Sequence, residues 1–179
     1  MIGALTAAAA VLLGVAGLAK ARSPAPAAAM ITRVIPRTRG RSRALTNAVR
    51  VGGGVEAVIA VAFLSIGGRV AAALVAACYL VFTVVALRLA TDRRHTSCGC
   101  FGAADSPVGV AHVVLDAVCL AAASASVAIP VGAGGGRLEQ GALVAVVGCG
   151  QVLLLAWLGY LAITALPALA SLRRPEEAR

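Results

Sequence analysis

An all-α fold, a polytopic membrane helical bundle of about five transmembrane helices, is what this sequence predicts. Three observations lead there. Of its 179 residues 60% are hydrophobic and only 13% charged, whereas a soluble domain is about half apolar and about a quarter charged. The apolar residues gather into five stretches close to the ~20 residues that a helix needs to cross a bilayer. The basic residues fall almost entirely in alternate connections between those stretches.

The first stretch, about Ile2–Ala19, is built of Ala, Leu, Val and Gly. A cleaved signal peptide is its competing reading, because Ala25 and Ala27 offer small-residue cleavage sites. Against that, no Lys or Arg precedes it, and the first cation is Lys20 at its far end. The second stretch, about Val49–Ile66, is the least apolar, since it holds Gly52-Gly53-Gly54 and Glu56. The third and fourth run about Val70–Leu89 and Val108–Ile129, and the fifth about Ala142–Leu166. Each is apolar around its circumference, as a span rather than a surface helix requires. The chain divides into a four-helix membrane domain, residues 1–130, and a segment of the fifth span with a short basic tail, residues 131–179.

Between the first two spans lies the longest polar connection. Ser23-Pro24-Ala25-Pro26 breaks the first helix, and Pro36 interrupts the connection again ten residues after Pro26. Met30-Ile31 and Val34-Ile35, set among basic residues, allow a short interfacial helix that anchors topology or touches anionic lipid. Gly134-Gly135-Gly136 marks a short loop before the fifth span.

The cations orient the bundle. Lys20, Arg22, Arg33, Arg37, Arg39, Arg41, Arg43 and Arg50 belong to the first connection, Arg88, Arg93 and Arg94 to the third, and Arg173, Arg174 and Arg179 to the tail. Only Arg69 and Arg137 fall on the other side. The positive-inside rule therefore places the N-terminus outside and the C-terminus inside a plasma or inner membrane. The net charge of +9 thus has a topological cause. The arginines lack interleaved aromatics on which bases would stack, so the pattern argues against nucleic-acid binding.

Cys98-Gly99-Cys100 stands in the polar connection between spans three and four. Thiol chemistry needs an accessible sulfur that ionises, and Arg93, Arg94 and His95 just upstream favour the thiolate. Glycine between the cysteines eases the bend that a C-x-C disulfide would require. Such a ring departs from relaxed geometry and is more readily reduced than a structural bridge. These traits suit a redox pair. Half of a metal site and inert loop thiols are the alternatives, although a second pair of ligands is missing nearby. Cys78, Cys119 and Cys149 fall inside spans, where a free cysteine is by default a small packing hydrophobe.

Ionisable groups inside spans are costly and therefore functional candidates. Glu56 lies in span two; His112 and Asp116 share one face of span four, with Cys119 three residues on. Asp116 could accept a hydrogen bond from His112. All of these, with Lys20, fall in the half of the bundle nearest Cys98 and Cys100. They read either as proton support for a thiol pair or as a buried network that fixes helix packing, with Glu56 paired to Lys20 or an arginine.

At these residues the chain resembles the MauE family, membrane proteins of the methylamine-utilisation type related to the broader DoxX group. The resemblance rests on Gly17-Leu18-Ala19-Lys20 closing span one, Val55-Glu56-Ala57, Phe82-Thr83 in span three and Cys98-Gly99-Cys100-Phe101-Gly102 before span four. It covers about the first 130 residues. It implies a multi-spanning inner-membrane protein associated with maturation of the disulfide-rich, tryptophylquinone-bearing small subunit of methylamine dehydrogenase. Processing, export or disulfide formation beside a thioredoxin-like partner are the roles it suggests. By position, Cys98 and Cys100 would be the redox pair and Glu56 the intramembrane acid. The chain departs from the family pattern in span four, where Leu115-Asp116 stands in place of an Arg-Asn pair.

The expectation is a membrane thiol-redox protein with thiol–disulfide oxidoreductase-like activity, its sites Cys98, Cys100, Glu56, His112 and Asp116. Its partners would be the lipid bilayer and a thioredoxin-like protein. No metal or cofactor is indicated; a quinone is compatible with membrane redox chemistry, yet no residue points to one. A carrier of small molecules or ions lined by Glu56, His112 and Asp116 is the alternative function, and a non-catalytic scaffold the third.

Overall fold

The computed structural model describes residues 2–35, 42–91, 110–129 and 142–172. Six helices occupy them: α1 (Ile2–Arg22), α2 (Ala25–Val34), α3 (Ser42–Ser65), α4 (Gly68–Thr91), α5 (Val110–Ala128) and α6 (Ala142–Leu172). Four of these, α1, α3, α4 and α5, have the length and composition to cross a membrane. The sixth is 31 residues long, and its stretch Val146–Ala162 is apolar.

The exposed surface confirms the solvent that the composition implies. On α3, Val51, Val55, Val58 and Val61 are each more than half exposed, and Leu80 and Val81 of α4 likewise. Water does not tolerate such continuous apolar faces, whereas lipid does. The interior is correspondingly small. Its main cluster joins Ala9, Ala10 and Leu13 of α1 to Ala60 and Phe63 of α3, Ala72, Val75 and Tyr79 of α4, and Cys119 and Ala123 of α5.

Helix α1 is the hub. It packs chiefly on α3 and also touches α5 and α6, while α4 packs chiefly on α5. Half of its apolar window is buried, more than in any other span.

The α1–α3 pair is close because both helices present glycine. A Cβ added to Gly17 would come within 2.5 Å of the Gly53 carbonyl oxygen, and one added to Gly53 equally near the Gly17 carbonyl. Backbones that touch in this way gain dispersion along their whole contact, which is how helices associate in lipid. The α3–α4 turn is tight for a different reason. Gly67 and Gly68 adopt φ of 69° and 85°, a left-handed conformation that disfavours any residue with a Cβ.

Two elements extend beyond the hydropathy limits. Helix α3 begins at Ser42, seven residues before the apolar stretch, so its first two turns carry Arg43 out of the apolar zone and Arg50 opens the third. Helix α2 spans Ala25–Val34 with Pro24 at its cap and Pro26 in its first turn. Proline is tolerated there because those backbone N–H groups have no helical acceptor. The prolines that end α1 therefore also begin α2. Its Ala27, Ala28 and Ile31 pack on Leu45 and Val49 of α3.

Candidate functional site

Ionisable side chains collect at one end of the bundle, the end at which α1 finishes and α2 and α3 begin. Lys20 occupies the last turn of α1 and Glu56 lies four turns into α3. The Gly17–Gly53 contact brings the two helices close enough for them to meet. Lys20 Nζ donates to both carboxylate oxygens of Glu56, at 2.7 and 2.6 Å. Lys20 is only 8% exposed. A lone ammonium at that depth would be costly in lipid, and the bidentate acceptor offsets it. Lys20 also sits 4.2 Å from the centre of the Phe82 ring on α4. A cation over an aromatic face contributes about 0.5–2 kcal/mol.

Phe82 is fixed in turn. It meets Tyr79 edge to face with centroids 5.7 Å apart, and the Tyr79 hydroxyl donates to the Ala9 carbonyl of α1 at 2.8 Å. The ion pair of α1 and α3 is thereby tied to α4 through an aromatic pair. Sequence reasoning singles out Lys20 and Glu56 but gives no structural part to Tyr79. A hydroxyl within an apolar stretch, with no local partner, is the available signal, since a buried tyrosine O–H seeks an acceptor.

On α5, His112 is buried near the helix start, and its Nδ1 finds no hydrogen-bond partner among the described residues. Nδ1 thus makes no bond to Asp116, although the spacing allows one. Asp116 is partly buried one turn further on. Cys119 lies in the core cluster beside Tyr79, with Cys78 of α4 packed against the same cluster. Cys149 of α6 is exposed instead. Among the described residues no three of His, Cys, Asp or Glu come together as a metal site would require. Cys98 and Cys100 lie outside the described residues, in the connection that leaves α4 at Thr91 and returns at Val110.

The opposite end is polar in another way. Thr6 of α1 and Ser126 of α5, both fully buried, share a hydrogen bond of 2.7 Å. Thr6 also donates toward the carbonyls of Ile2 and Ala122, and Ser126 toward that of Ala122. This network joins two helices with neutral groups alone. Sequence reasoning does not single it out; the only signal is a hydroxyl residue near one end of each of two facing spans.

A bundle of long apolar helices with an internal ion pair and lipid-facing valines is a multi-pass membrane protein. Within that class the family model for methylamine utilisation protein MauE matches residues 1–129, and the chain belongs to the MauE family. The match covers Lys20, Glu56, Phe82, Cys98, Cys100, His112 and Asp116, and ends as α5 ends. No curated protein and no solved structure matches the chain.

Proposed function

We propose that this protein is a thiol-redox component of the membrane, exchanging a disulfide between Cys98–Cys100 and a thioredoxin-like partner in the maturation of an exported enzyme. The observation that carries the reading is the polarity of one end. Lys20, Glu56, His112 and Asp116 are held at the end of the bundle from which the Cys98–Cys100 connection leaves α4 and to which it returns at α5.

The exchange balances without a further cofactor. A thiolate of one protein attacks the disulfide sulfur of the other, a mixed disulfide forms, and the neighbouring thiol resolves it. One S–S bond is broken and one formed, and two electrons with two protons pass from the dithiol to the disulfide. His112 has a buried nitrogen without a hydrogen-bond partner among the described residues and Asp116 stands a turn away; both can take or return those protons. The Lys20–Glu56 pair sets the electrostatic floor beneath them. By the positive-inside rule the basic end faces the cytoplasm, where a reduced partner supplies electrons to the Cys98–Cys100 disulfide.

Alkylation of denatured membranes with a maleimide mass tag tests this. Reduction should expose a pair of additional thiols that disappears in both C98S and C100S. In C100S the remaining Cys98 thiolate, given the oxidised form of the partner, should attack its disulfide and remain joined to it as a mixed disulfide. An unchanged tagging pattern in C98S would remove the redox role. If E56Q abolished cellular function while a C98S/C100S variant retained it, the carrier reading would replace it.

A further inference from the structure

The described residues leave a cleft of about 200 Å³ between α2, α3 and α4, immediately beside the ion pair. Ala27 and Met30 of α2, Val49 and Gly52 of α3, and Phe82 and Val85 of α4 line it, and Lys20 and Glu56 supply its polar groups. The cleft exists because α3 packs mainly on α1 and α4 mainly on α5. Gly52 leaves room inside it, since a Cβ there would meet nothing within 4 Å.

We infer that this cleft holds an acyl chain of an anionic phospholipid from the leaflet at the basic end, with the headgroup drawn to Arg22, Arg43 and Arg50 at that end. Charge complementarity decides the class. No acidic residue occurs between Lys20 and Glu56, whereas Arg22, Arg33, Arg37, Arg39, Arg41, Arg43 and Arg50 do. Lys20 is neutralised by Glu56, so the attraction falls to the cations outside the apolar zone. Arg22 ends α1, Arg43 and Arg50 stand in the first turns of α3, and all three are exposed. Basic residues beside a bilayer attract anionic headgroups, and an apolar cleft under them accepts the chain. Val81, which also lines the cleft on α4, is largely exposed and leaves it open sideways to lipid. The inference rests on the proposed orientation of the bundle but not on its thiol chemistry, which lipid retention does not read.

The full chain would be reconstituted in nanodiscs of mixed phosphatidylglycerol and phosphatidylcholine, released, and examined by native mass spectrometry. The wild type should retain phosphatidylglycerol preferentially. A Cβ at Gly52 or Gly54 would meet nothing within 4 Å; Gly52→Leu adds a side chain at the cleft lining and should abolish retention, whereas Gly54→Leu, outside that lining, should leave it intact. R43Q and R50Q should each weaken the preference by about fivefold. Equal retention of both lipids by the wild type, or undiminished phosphatidylglycerol on G52L, would overturn the assignment. So would a protein dimer in place of the lipid adduct, lost in G52L, which would give the cleft to a second copy of the chain.

Discussion

The two ends of α1 solve the same problem differently. Near its start Thr6 must hide a hydroxyl in lipid, and near its finish Lys20 must hide a charge. Thr6 is met by Ser126 and by backbone carbonyls, so its oxygen has several partners and no formal charge is buried. Lys20 is met by Glu56 and Phe82 alone among the described residues. A neutral network of this kind serves to hold helices in register. Nothing about packing requires an ammonium and a carboxylate where two hydroxyls would do, so the charged end is where a selected function should be sought. His112, buried at that same end with a nitrogen that finds no partner among the described residues, points the same way.

The largest effect should come from unbalancing the charged end. Glu56→Ala leaves the Lys20 ammonium without its carboxylate, and Lys20→Met leaves the carboxylate without its cation. Each should cost about 3–5 kcal/mol, because an uncompensated charge is the expensive state. The K20M/E56M double variant removes both and should recover most of that stability. Denaturant titration of the protein in detergent micelles measures all three. A double variant no more stable than either single would show that the pair is not the coupled unit the 2.6 and 2.7 Å contacts suggest. A double variant that is stable yet inactive in the thiol-tagging assay would separate the pair's chemistry from its packing.

The glycine seam that carries the ion pair should give the next effect, with opposite signs at adjacent residues. Gly53→Ala drives a methyl into the Gly17 carbonyl at 2.5 Å, and backbone on both sides cannot yield locally. A loss of about 1–3 kcal/mol is expected. Gly54→Ala meets nothing within 4 Å and should be neutral or stabilising by about 0.4–1 kcal/mol, since alanine restricts the unfolded chain. Equal effects of the two in the same titration would mean that α1 and α3 do not touch at Gly17 and Gly53.

How far the sequence reveals these features depends on their range. The spans are legible because the bilayer imposes one length and one composition, so hydropathy alone locates α1, α3, α4 and α5. Hydropathy falls silent where a helix leaves the apolar zone, which is why it places the start of α3 seven residues after Ser42. The prolines at 24 and 26 read plainly as ending α1, whereas their fitness for the first turn of α2 does not show. Glu56 and Lys20 stand out as charges inside apolar stretches, and their pairing is one of the readings the sequence leaves open. Their distance and the Phe82 ring above Lys20 depend on how three helices cross, which no local pattern records. Thr6 and Ser126 escape notice for a related reason. A hydroxyl in a span bonds its own backbone so easily that its presence signals no partner.

That same backbone bonding sets the smallest prediction and the sharpest contrast with the charged end. Thr6→Val removes one hydroxyl, but Ser126 keeps its own bond to the Ala122 carbonyl. Ser126→Ala leaves Thr6 with the carbonyls of Ile2 and Ala122. Neither substitution strands a buried donor, so each should cost about 0.6 kcal/mol and at most about 1.7, the range of interhelical hydrogen bonds in membranes. The T6V/S126A double variant should show only weak coupling in a double-mutant cycle, and none of the three should move the maleimide pattern of Cys98 and Cys100. A cost for T6V as large as that of E56A would collapse the distinction between the two ends. It would make the Thr6–Ser126 contact, rather than the Gly17–Gly53 seam and its ion pair, the principal tie that holds α1 at the centre of the bundle.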